Sequence, residues 1–295
     1  MIPKRIFYVW STKDKKPRDV QACIQTWRQA MPDYEIVELN EENTTYFDYK
    51  KHLQNNKWFK TVYENKMWAF VADYIRIHVL YDHGGIYFDT DVSVVKSFDK
   101  FLNDKAFVGM QDMFYTEPAV LGAEKHNKFL KNILSFYDED IWKMPIFTIP
   151  EIFAYYLTKK YNIVNFPDKD KQKIIATPDI TIYPERFFIP FRFQSEFSPD
   201  CVGKDTYSIH WFGGSWTKPS VMQWLKNKHI NPDSSVLNQE VPVIERFSVI
   251  GKLTILKLHT TTKEKIVYLL HIPILKINQR GIYLFKFLRL FKRKQ

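Results

Sequence analysis

Two carboxylates separated by a single residue, Asp89 and Asp91, follow an apolar run in the segment GGIYFDTDVSVV at residues 84–95. On a strand, side chains two positions apart point to the same face, so this spacing predicts two anions side by side. Like charges at that distance repel unless a cation lies between them. Carboxylate ligands leave a hard cation such as Mg²⁺ or Mn²⁺ open positions for water and diphosphate oxygens. The alternative is a strand end with two solvated aspartates.

A second charged pair lies in the segment before this one. NKMWAFVADYIRIHVLY, at residues 65–81, has the pattern of a long helix, and the Gly-Gly pair at 84–85 can end it. Asp73 and Arg76 are three residues apart and emerge on nearly the same helix face. An exposed ion pair of this kind contributes roughly a few tenths of a kcal/mol. Because the neighbouring residues are almost all apolar, the pair could instead be half buried, and it would then need further polar partners, as in a cleft.

The surrounding elements follow the order of an α/β nucleotide-binding sheet. RIFYVW at residues 5–10 is predicted to be a strand, PRDVQACIQTWRQAM at 17–31 a helix and YEIVEL at 34–39 a strand. In sheets with this opening, ligands gather at the carboxyl ends of the strands. Further strands are predicted at 106–110, 119–123, 180–184 and 206–212, and further helices near 126–137, 149–160 and 219–229.

The composition favours a folded protein that binds ring-shaped ligands. With 295 residues and 45% hydrophobic content, the chain can bury a sizeable core in one large or two smaller domains. The 17% aromatic share suits clefts that stack sugars or nucleobases. The two cysteines, Cys23 and Cys201, have no metal-type spacing, so neither a disulfide nor a zinc site is predicted and a reducing cytosol is expected.

The net charge of +10 belongs to the C-terminal segment. Residues 241–295 hold 12 Lys and Arg against 2 Glu, whereas residues 1–240 balance 31 basic against 31 acidic residues. Wound as a helix, the end of the chain has two opposite faces: a basic one of Lys286, Arg289 and Arg293, and an apolar one of Leu284, Phe287, Leu288 and Phe291. We expect this helix to lie on an anionic membrane surface, with an ordinary packed helix as the alternative. Large apolar residues between the cations disfavour nucleic acid as the partner.

The apolar runs of the sequence predict neither a cleaved signal peptide nor a membrane span. The start, MIPKRIFYVW, has too short an apolar run for a signal peptide, and no stretch reaches the roughly 20 apolar residues that a membrane span requires. We therefore expect a protein that is not secreted through a cleaved signal. We expect a bacterial setting, because the first residues do not have the pattern of the anchor that a Golgi enzyme carries.

Four stretches form a recognisable set: IPKRIFYVW, ADYIRIHVLYDHGGIYFDTDV, ITIYPERFFIP and YSIHWFGGSW, which together span residues 2–216. The set resembles the family 32 glycosyltransferases, which carry a DXD sugar-binding motif and are similar to the glucosylating domain of large clostridial toxins. The resemblance implies a GT-A fold, in which a Rossmann-like nucleotide-binding half merges with an acceptor-binding half. It also implies a nucleotide-sugar donor, a divalent metal and retention of the anomeric configuration. The expected domains are residues 1–240 as the GT-A domain and 241–295 as a basic, helical C-terminal segment.

The resemblance assigns roles to the central residues. Asp89 and Asp91 look like the pair that binds the metal and the diphosphate, and Asp73 and Arg76 like contacts to hydroxyl groups of the donor sugar. Tyr87 looks like a donor-site residue, and a packed strand aromatic is its alternative.

Donor contacts are also implied at the first strand and in the late stretch HWFGGSWTKP. Trp10 looks like the residue that stacks on the nucleobase, with a core tryptophan as the alternative. His210 is the candidate for a further metal ligand, with a satisfied core histidine as the alternative. Ser215, Trp216 and Lys218 look like phosphate contacts, with an ordinary surface loop as the alternative. A metal and a cation such as Lys218 would stabilise the charge that develops on the leaving diphosphate.

These features predict a cytoplasmic, metal-dependent, retaining glycosyltransferase on the inner face of the membrane. It would move a hexose to a glycan or lipid-linked glycan, as in the synthesis of capsule or another surface polysaccharide. A UDP-linked hexose is the expected donor and GDP-mannose is less expected, while the acceptor and linkage have no transferable signature. Two alternatives stay open: a haloacid-dehalogenase-like phosphatase, with Asp89 as nucleophile and Asp91 as acid/base, and a non-catalytic binding protein of the GT-A fold.

Overall fold

The computed structural model describes residues 1–12, 14–192, 195–213, 219–230 and 232, and the backbone of six strands between residues 243 and 291. The chain divides into two compact units, Met1–Pro232 and Asp233–Gln295. The domain boundary predicted between residues 240 and 241 therefore lies inside the second unit.

The first unit alternates strands and helices along the chain. Its strands are β1 (Arg5–Val9), β2 (Glu35–Leu39), β3 (Gly85–Phe88), β4 (Val92–Val94), β5 (Ala106–Met110), β6 (Thr116–Ala123), β7 (Ile175–Ala176), β8 (Thr181–Tyr183) and β9 (Ser208–His210). Its α-helices are α1 (Arg18–Ala30), α2 (Tyr49–Asn55), α3 (Lys57–Glu64), α4 (Trp68–His83), α5 (Lys128–Ser135), α6 (Ile149–Tyr161), α7 (Glu185–Phe188) and α8 (Pro219–Asn227).

Seven of these strands form one mixed sheet, in the order β2-β1-β3-β6-β5-β8-β7, while β4 pairs with β9. β1 pairs in parallel with β2 and β3, and β5 pairs in parallel with β8. β6 runs antiparallel to both of its neighbours, β3 and β5. The predicted α/β fold class is confirmed, and the predicted strands and helices of this unit are present with ends shifted by a few residues.

Helices α2 and α3 were not predicted, because each is short and its apolar residues do not repeat over enough turns to show a helical period. Their starts are nevertheless encoded locally. The Asp48 carboxylate accepts the backbone N–H of Lys51 at 3.0 Å, and the Asn56 side chain accepts that of Phe59 at 2.9 Å. Both are N-terminal caps that satisfy a backbone donor without a partner inside the helix.

Helix α4 is buried on nearly all sides, so its sequence has no single apolar stripe. Ile75 and Ile77, which lie on different faces, both have no exposed surface. The helix ends at Gly84, where φ is 67° and an added Cβ would lie 2.9 Å from both Pro3 and Lys125. Only glycine meets both conditions without strain. The chain then enters β3 directly, which brings the charged residues of α4 close to the end of that strand.

Strand β6 departs from regular pairing near the carboxyl end of β5. Val108 of β5 pairs with Leu121, but the next residue, Gly109, pairs with Glu117, so residues 118–120 are extra relative to β5. A bulge of this kind bends the strand and releases main-chain groups from the ladder. The first bulged residue is a proline, which has no N–H to leave unpaired. The main-chain groups of the bulge are therefore available to residues of α4 and β3.

The other end of β6 gives a stability prediction. A Cβ at Gly122 would stand 2.1 Å from Cε1 of Phe107, whose ring is fully buried and packs against other phenyl rings of the core. We expect Gly122→Ala to lower the free energy of unfolding by about 1–3 kcal/mol, the usual cost of overpacking a close-packed core. Urea denaturation of the variant and the wild type would measure it. Gly203→Ala is the control, because no heavy atom lies within 4 Å of its added Cβ, and equal losses in the two variants would contradict the argument.

The second unit is an antiparallel sheet whose six strands pair in chain order. They are β10 (Val243–Ile250), β11 (Leu253–Thr260), β12 (Glu264–Leu269), β13 (Ile272–Asn278), β14 (Gly281–Leu284) and β15 (Leu288–Phe291).

The predicted helix at the end of the chain is therefore wrong, since that segment contributes β14 and β15. Short runs rich in Ile, Leu and aromatic residues suit neighbouring strands, and each strand here takes its backbone partners from the preceding one, which periodicity within one segment cannot show. Within the described residues, no helix combines the length and the apolar character needed to cross a bilayer. Lys286, Phe287 and Arg293 lie outside the described residues, and membrane association of this segment stays a prediction.

Candidate active site

The two aspartates of the D-x-D motif lie in the turn between β3 and β4. β3 ends at Phe88, and the backbone N–H of Asp89 donates to the carbonyl of Ala119 in the β6 bulge at 2.9 Å. The turn closes where the N–H of Val92 donates to the carbonyl of Asp89 at 3.1 Å. The expectation that both aspartates occupy alternate positions of one strand is therefore wrong. Their carboxylates still converge, because the turn folds Asp91 back toward Asp89.

Arg76 connects the charged pair of α4 with the motif. Its Nη2 lies 2.9 Å from Oδ1 of Asp73 and 2.9 Å from Oδ1 of Asp89. Its Nη1 donates to the carbonyl of Pro118 in the bulge at 2.7 Å, and the guanidinium lies over the ring of Tyr87, 4.5 Å from the centroid. Arg76 is only 4% exposed, so the structure selects the buried alternative for this ion pair.

The same buried network fixes Asp73 and Tyr87. Burial raises the pKa of Asp73 to about 7, against the opposing effect of the Arg76 guanidinium, and the nearby Asp89 carboxylate adds to the rise. The Tyr87 hydroxyl donates to Oδ1 of Asp89 at 3.1 Å, and burial raises the pKa of that hydroxyl well above its ordinary range. Tyr87 is thus a packed strand aromatic that also contacts the motif, and its role in binding the donor stays a prediction.

His210 reaches Asp91 because β4 and β9 pair antiparallel, with Val92 opposite His210. Nε2 of His210 lies 3.3 Å from Oδ1 of Asp91, and the backbone N–H of Gly213 donates to Oδ2 at 2.7 Å. Phe212 between them has a φ of 54°, a left-handed conformation that a bulky residue rarely adopts outside sites that need it. This local strain brings the Gly213 N–H onto the carboxylate.

The charges of this pair reinforce each other. Burial alone would raise the pKa of Asp91, but the hydrogen bonds from His210 and from the Gly213 N–H hold that pKa below its ordinary value. Burial alone would lower the pKa of His210, but Asp91 and Glu117 together raise it to about 9. A pKa of about 9 keeps His210 an imidazolium between carboxylates at neutral pH, and a metal ion bound at one of its nitrogens would have to displace a proton.

Asp89, Asp91 and His210 form a group that could hold a metal ion. One ligand atom from each residue lies within 4.8 Å of the other two. Two carboxylates and one imidazole suit a divalent ion such as Mn²⁺, and three protein ligands leave the remaining positions of an octahedral ion for water and substrate oxygens. The donor set therefore fits the predicted Mn²⁺ or Mg²⁺.

Glu117, in β6, was not predicted. Its Oε1 accepts the backbone N–H of Ala119 at 3.2 Å, and its Oε2 lies 3.7 Å from Nδ1 of His210. Burial raises the pKa of this carboxyl, while His210 lowers it. The one local signal in the sequence is that Glu117 precedes a proline just before the strand predicted at residues 119–123. Its spacing from the D-x-D motif does not link the two.

The remaining predicted site residues are separate from this cluster or outside the described residues. Trp10 follows β1, which neighbours β3 in the sheet, and its ring packs partly against the core while Nε1 donates to the carbonyl of Asp14 at 2.9 Å. Its half-buried ring leaves both alternatives for Trp10 open. Ser215, Trp216 and Lys218 lie outside the described residues, so their phosphate contacts stay predictions.

The fold and these contacts agree with the comparison of the chain with known families. Residues 17–108 match the family described as the glycosyltransferase sugar-binding region containing a DXD motif, and this stretch includes both charged pairs of the site. Over residues 17–108 the chain is therefore similar to the DXD glycosyltransferases. This result confirms the general part of the resemblance in the sequence, whereas family 32 itself stays a prediction.

Curated relatives are fungal enzymes. The chain is 31% identical over 140 residues to inositol phosphoceramide mannosyltransferase 3 of Schizosaccharomyces pombe, which covers 45% of this chain and 36% of that protein. It is 26% identical over 196 residues to mannosyl phosphorylinositol ceramide synthase SUR1 of Saccharomyces cerevisiae, which covers 64% of this chain and 50% of that protein. The chain thus spans half or less of the length of these two relatives.

One solved structure that the chain matches is the PaToxG glycosyltransferase. It has a TM-score of 0.42 and 19% sequence identity, and the match covers 55% of this chain and 70% of that one.

Proposed function

We propose that this protein is a metal-dependent, retaining glycosyltransferase that moves a hexose from a nucleotide sugar to a glycan or lipid-linked acceptor. The observation that carries the proposal is the convergence of Asp89, Asp91 and His210, whose ligand atoms lie within 4.8 Å of one another. Two of these residues form the D-x-D motif within the region that matches the DXD glycosyltransferases. The third comes from a strand about 120 residues further along the chain.

In this proposal Asp89, Asp91 and His210 hold the metal. A bound divalent ion would neutralise the charge that develops on the leaving diphosphate. Arg76 and Tyr87 fix one oxygen of Asp89, so the carboxylate keeps its orientation while its other oxygen can bind a cation. Gly213 does the same for Asp91 through its backbone N–H. The buried Asp73 lies beside these groups, and its carboxylate can accept hydrogen bonds from sugar hydroxyls.

The finer assignments extend the same proposal. Retention of configuration follows from the resemblance to family 32, in which the leaving phosphate can accept the proton of the acceptor. The names of the fungal relatives support mannose as a candidate hexose beside the UDP-linked sugars, and an inositol phospholipid beside a surface polysaccharide as the acceptor. The basic C-terminal segment supports a cytoplasmic protein on the anionic inner face of a membrane.

Donor hydrolysis and thermal shift with a panel of nucleotide sugars would test the proposal. The panel contains UDP-glucose, UDP-galactose, UDP-N-acetylglucosamine and GDP-mannose, each with and without Mn²⁺. We expect one of them to raise the melting temperature and to be hydrolysed slowly when the metal is present. No response to any donor, together with hydrolysis of a generic phosphoester, would replace the transferase with the phosphatase alternative.

Removal of the metal gives a direct prediction. EDTA would remove the cation that neutralises the leaving diphosphate in the transition state. Treatment with EDTA is therefore expected to reduce donor hydrolysis at least about 100-fold. Adding Mn²⁺ or Mg²⁺ in excess should restore it, while Ca²⁺, which prefers longer bonds and more ligands, should restore less. Full activity after dialysis against EDTA would contradict the assignment of a metal site.

A further inference from the structure

His210 has one ring nitrogen that the proposed metal site leaves without a role. Nε2 faces Asp91 at 3.3 Å, whereas Nδ1 is buried and has no hydrogen-bond partner among the described residues. Oε2 of Glu117 lies 3.7 Å from Nδ1, slightly beyond hydrogen-bond distance. His210 is 8% exposed, so water does not readily compensate this nitrogen. The imidazole therefore lies between two carboxylates, one on each nitrogen.

The β6 bulge explains why Glu117 faces this way. Its register places Glu117, rather than Val120, opposite Gly109 near the carboxyl end of β5. Oε1 is held by the backbone N–H of Ala119, so the second oxygen is directed toward the histidine ring. The carbonyls of the same bulge bind Arg76 and the backbone of Asp89. One irregular stretch of strand thus supports both sides of the metal site.

We propose that Glu117 is a positioning residue that accepts a hydrogen bond from Nδ1–H of His210 and thereby presents the Nε2 lone pair to the metal. The inference rests on the proposed function, because it needs His210 as a ligand. A carboxylate on the far nitrogen of a ligating histidine fixes both the tautomer and the ring orientation, and it makes the nitrogen at the metal more basic. The two atoms are 3.7 Å apart, so the proposal requires the Glu117 side chain to move slightly closer when the ring binds an ion.

The test measures binding of Mn²⁺ alone to the whole 295-residue chain, with no donor present. Free Mn²⁺ is followed by electron paramagnetic resonance for the wild type, Glu117→Ala, Glu117→Gln and the matched control Asp104→Asn. Asp104 is also a half-buried carboxylate, bonded to Tyr183 and Thr181, but it lies at the other end of β5. Urea midpoints show whether each variant is folded.

We expect Glu117→Ala to weaken Mn²⁺ binding at least about 10-fold, which is the lower end of the usual loss when the carboxylate partner of a ligating histidine is removed. Glu117→Gln keeps an acceptor oxygen and should lose less, and Asp104→Asn should bind as the wild type does. The second readout is nitrogen-15 NMR of His210 with the diamagnetic ion Cd²⁺. The wild type should show a protected Nδ1–H, which is lost in Glu117→Ala.

The outcomes separate this inference from the function on which it rests. Equal Mn²⁺ affinity and an unchanged Nδ1–H signal in folded Glu117→Ala would overturn the positioning role, and the metal site would stand. If Glu117→Ala lost donor hydrolysis but kept its Mn²⁺ affinity, the positioning role would also be overturned, since Glu117 would then act on the substrate. A wild-type protein that binds neither Mn²⁺ nor Cd²⁺ would reject the proposed metal-dependent function itself.

Discussion

Asp91→Asn is expected to reduce metal-dependent donor hydrolysis at least about 100-fold while the protein stays folded. The amide has the shape of the carboxylate and can still accept the Gly213 N–H, so the turn keeps its geometry. The asparagine has no negative charge to offer the metal. Its NH₂ group would either face the ion or stand where Oδ2 accepts the Gly213 N–H, so one of the two contacts is lost. The measurement compares initial rates of donor hydrolysis and the Mn²⁺ affinity of the variant with those of the wild type.

Asp33→Asn is the matched control for this substitution. Asp33 is also an aspartate in an ion pair, with Lys4 at 2.6 Å, but its side chain is 57% exposed and lies outside the site. Exposed pairs of this kind contribute little to stability, so we expect neither activity nor the urea midpoint to change much. If Asp91→Asn kept wild-type activity and Mn²⁺ affinity, Asp91 would not be a metal ligand and the proposed metal site would be wrong.

Arg76→Met is expected to lower the free energy of unfolding by about 3–5 kcal/mol, the cost of leaving buried charges without their partner. Methionine fills much of the same volume, so the loss reports the charge. The guanidinium satisfies the carboxylates of Asp73 and Asp89 and the carbonyl of Pro118, and each of these groups loses a donor. Urea denaturation measures the loss. A loss below about 1 kcal/mol would show that Arg76 and Asp73 behave as an exposed ion pair.

The same variant has a predictable pH dependence. In the wild type the pKa of Asp73 is raised to about 7, from an ordinary value of 3.8, chiefly by burial. The folded state therefore binds this proton more tightly than the unfolded state, so the free energy of unfolding falls as the pH rises through that interval. Removing Arg76 raises the pKa further, because the cation favours the ionised carboxylate. Arg76→Met should therefore lose more stability at pH 8 than at pH 5.

A second substitution isolates the part of this effect that belongs to Asp73. In the double variant Arg76→Met with Asp73→Asn, an amide that does not titrate replaces the buried carboxylate. Most of the extra loss of stability at pH 8 should therefore disappear. The double variant compared with each single one gives the coupling energy of the pair. If the double variant still lost stability steeply with pH, the titrating group would not be Asp73.

Local sequence was enough for the half of the site that α4 and β3 provide. The three-residue spacing of Asp73 and Arg76 survives in any helix, so their common face could be predicted before the fold was known. The same holds for the β-loop-α-β opening and for most strands of the first unit, because period and length are properties of a single segment. The D-x-D motif was also predicted correctly as a convergent pair, although a turn and not a strand brings it together.

The other half of the site depends on contacts between distant segments. His210 meets Asp91 through a pairing of three residues between β4 and β9, and Glu117 meets His210 through a bulge defined only by the neighbouring strand. The late strands β14 and β15 were taken for a helix for the same reason, since their backbone partners lie in other segments. The sequence by itself determined which residues could do the chemistry and the elements that hold Asp73, Arg76 and Asp89. Only the tertiary structure decided which carboxylates surround the imidazole, because strand pairing is a long-range interaction that no single segment encodes.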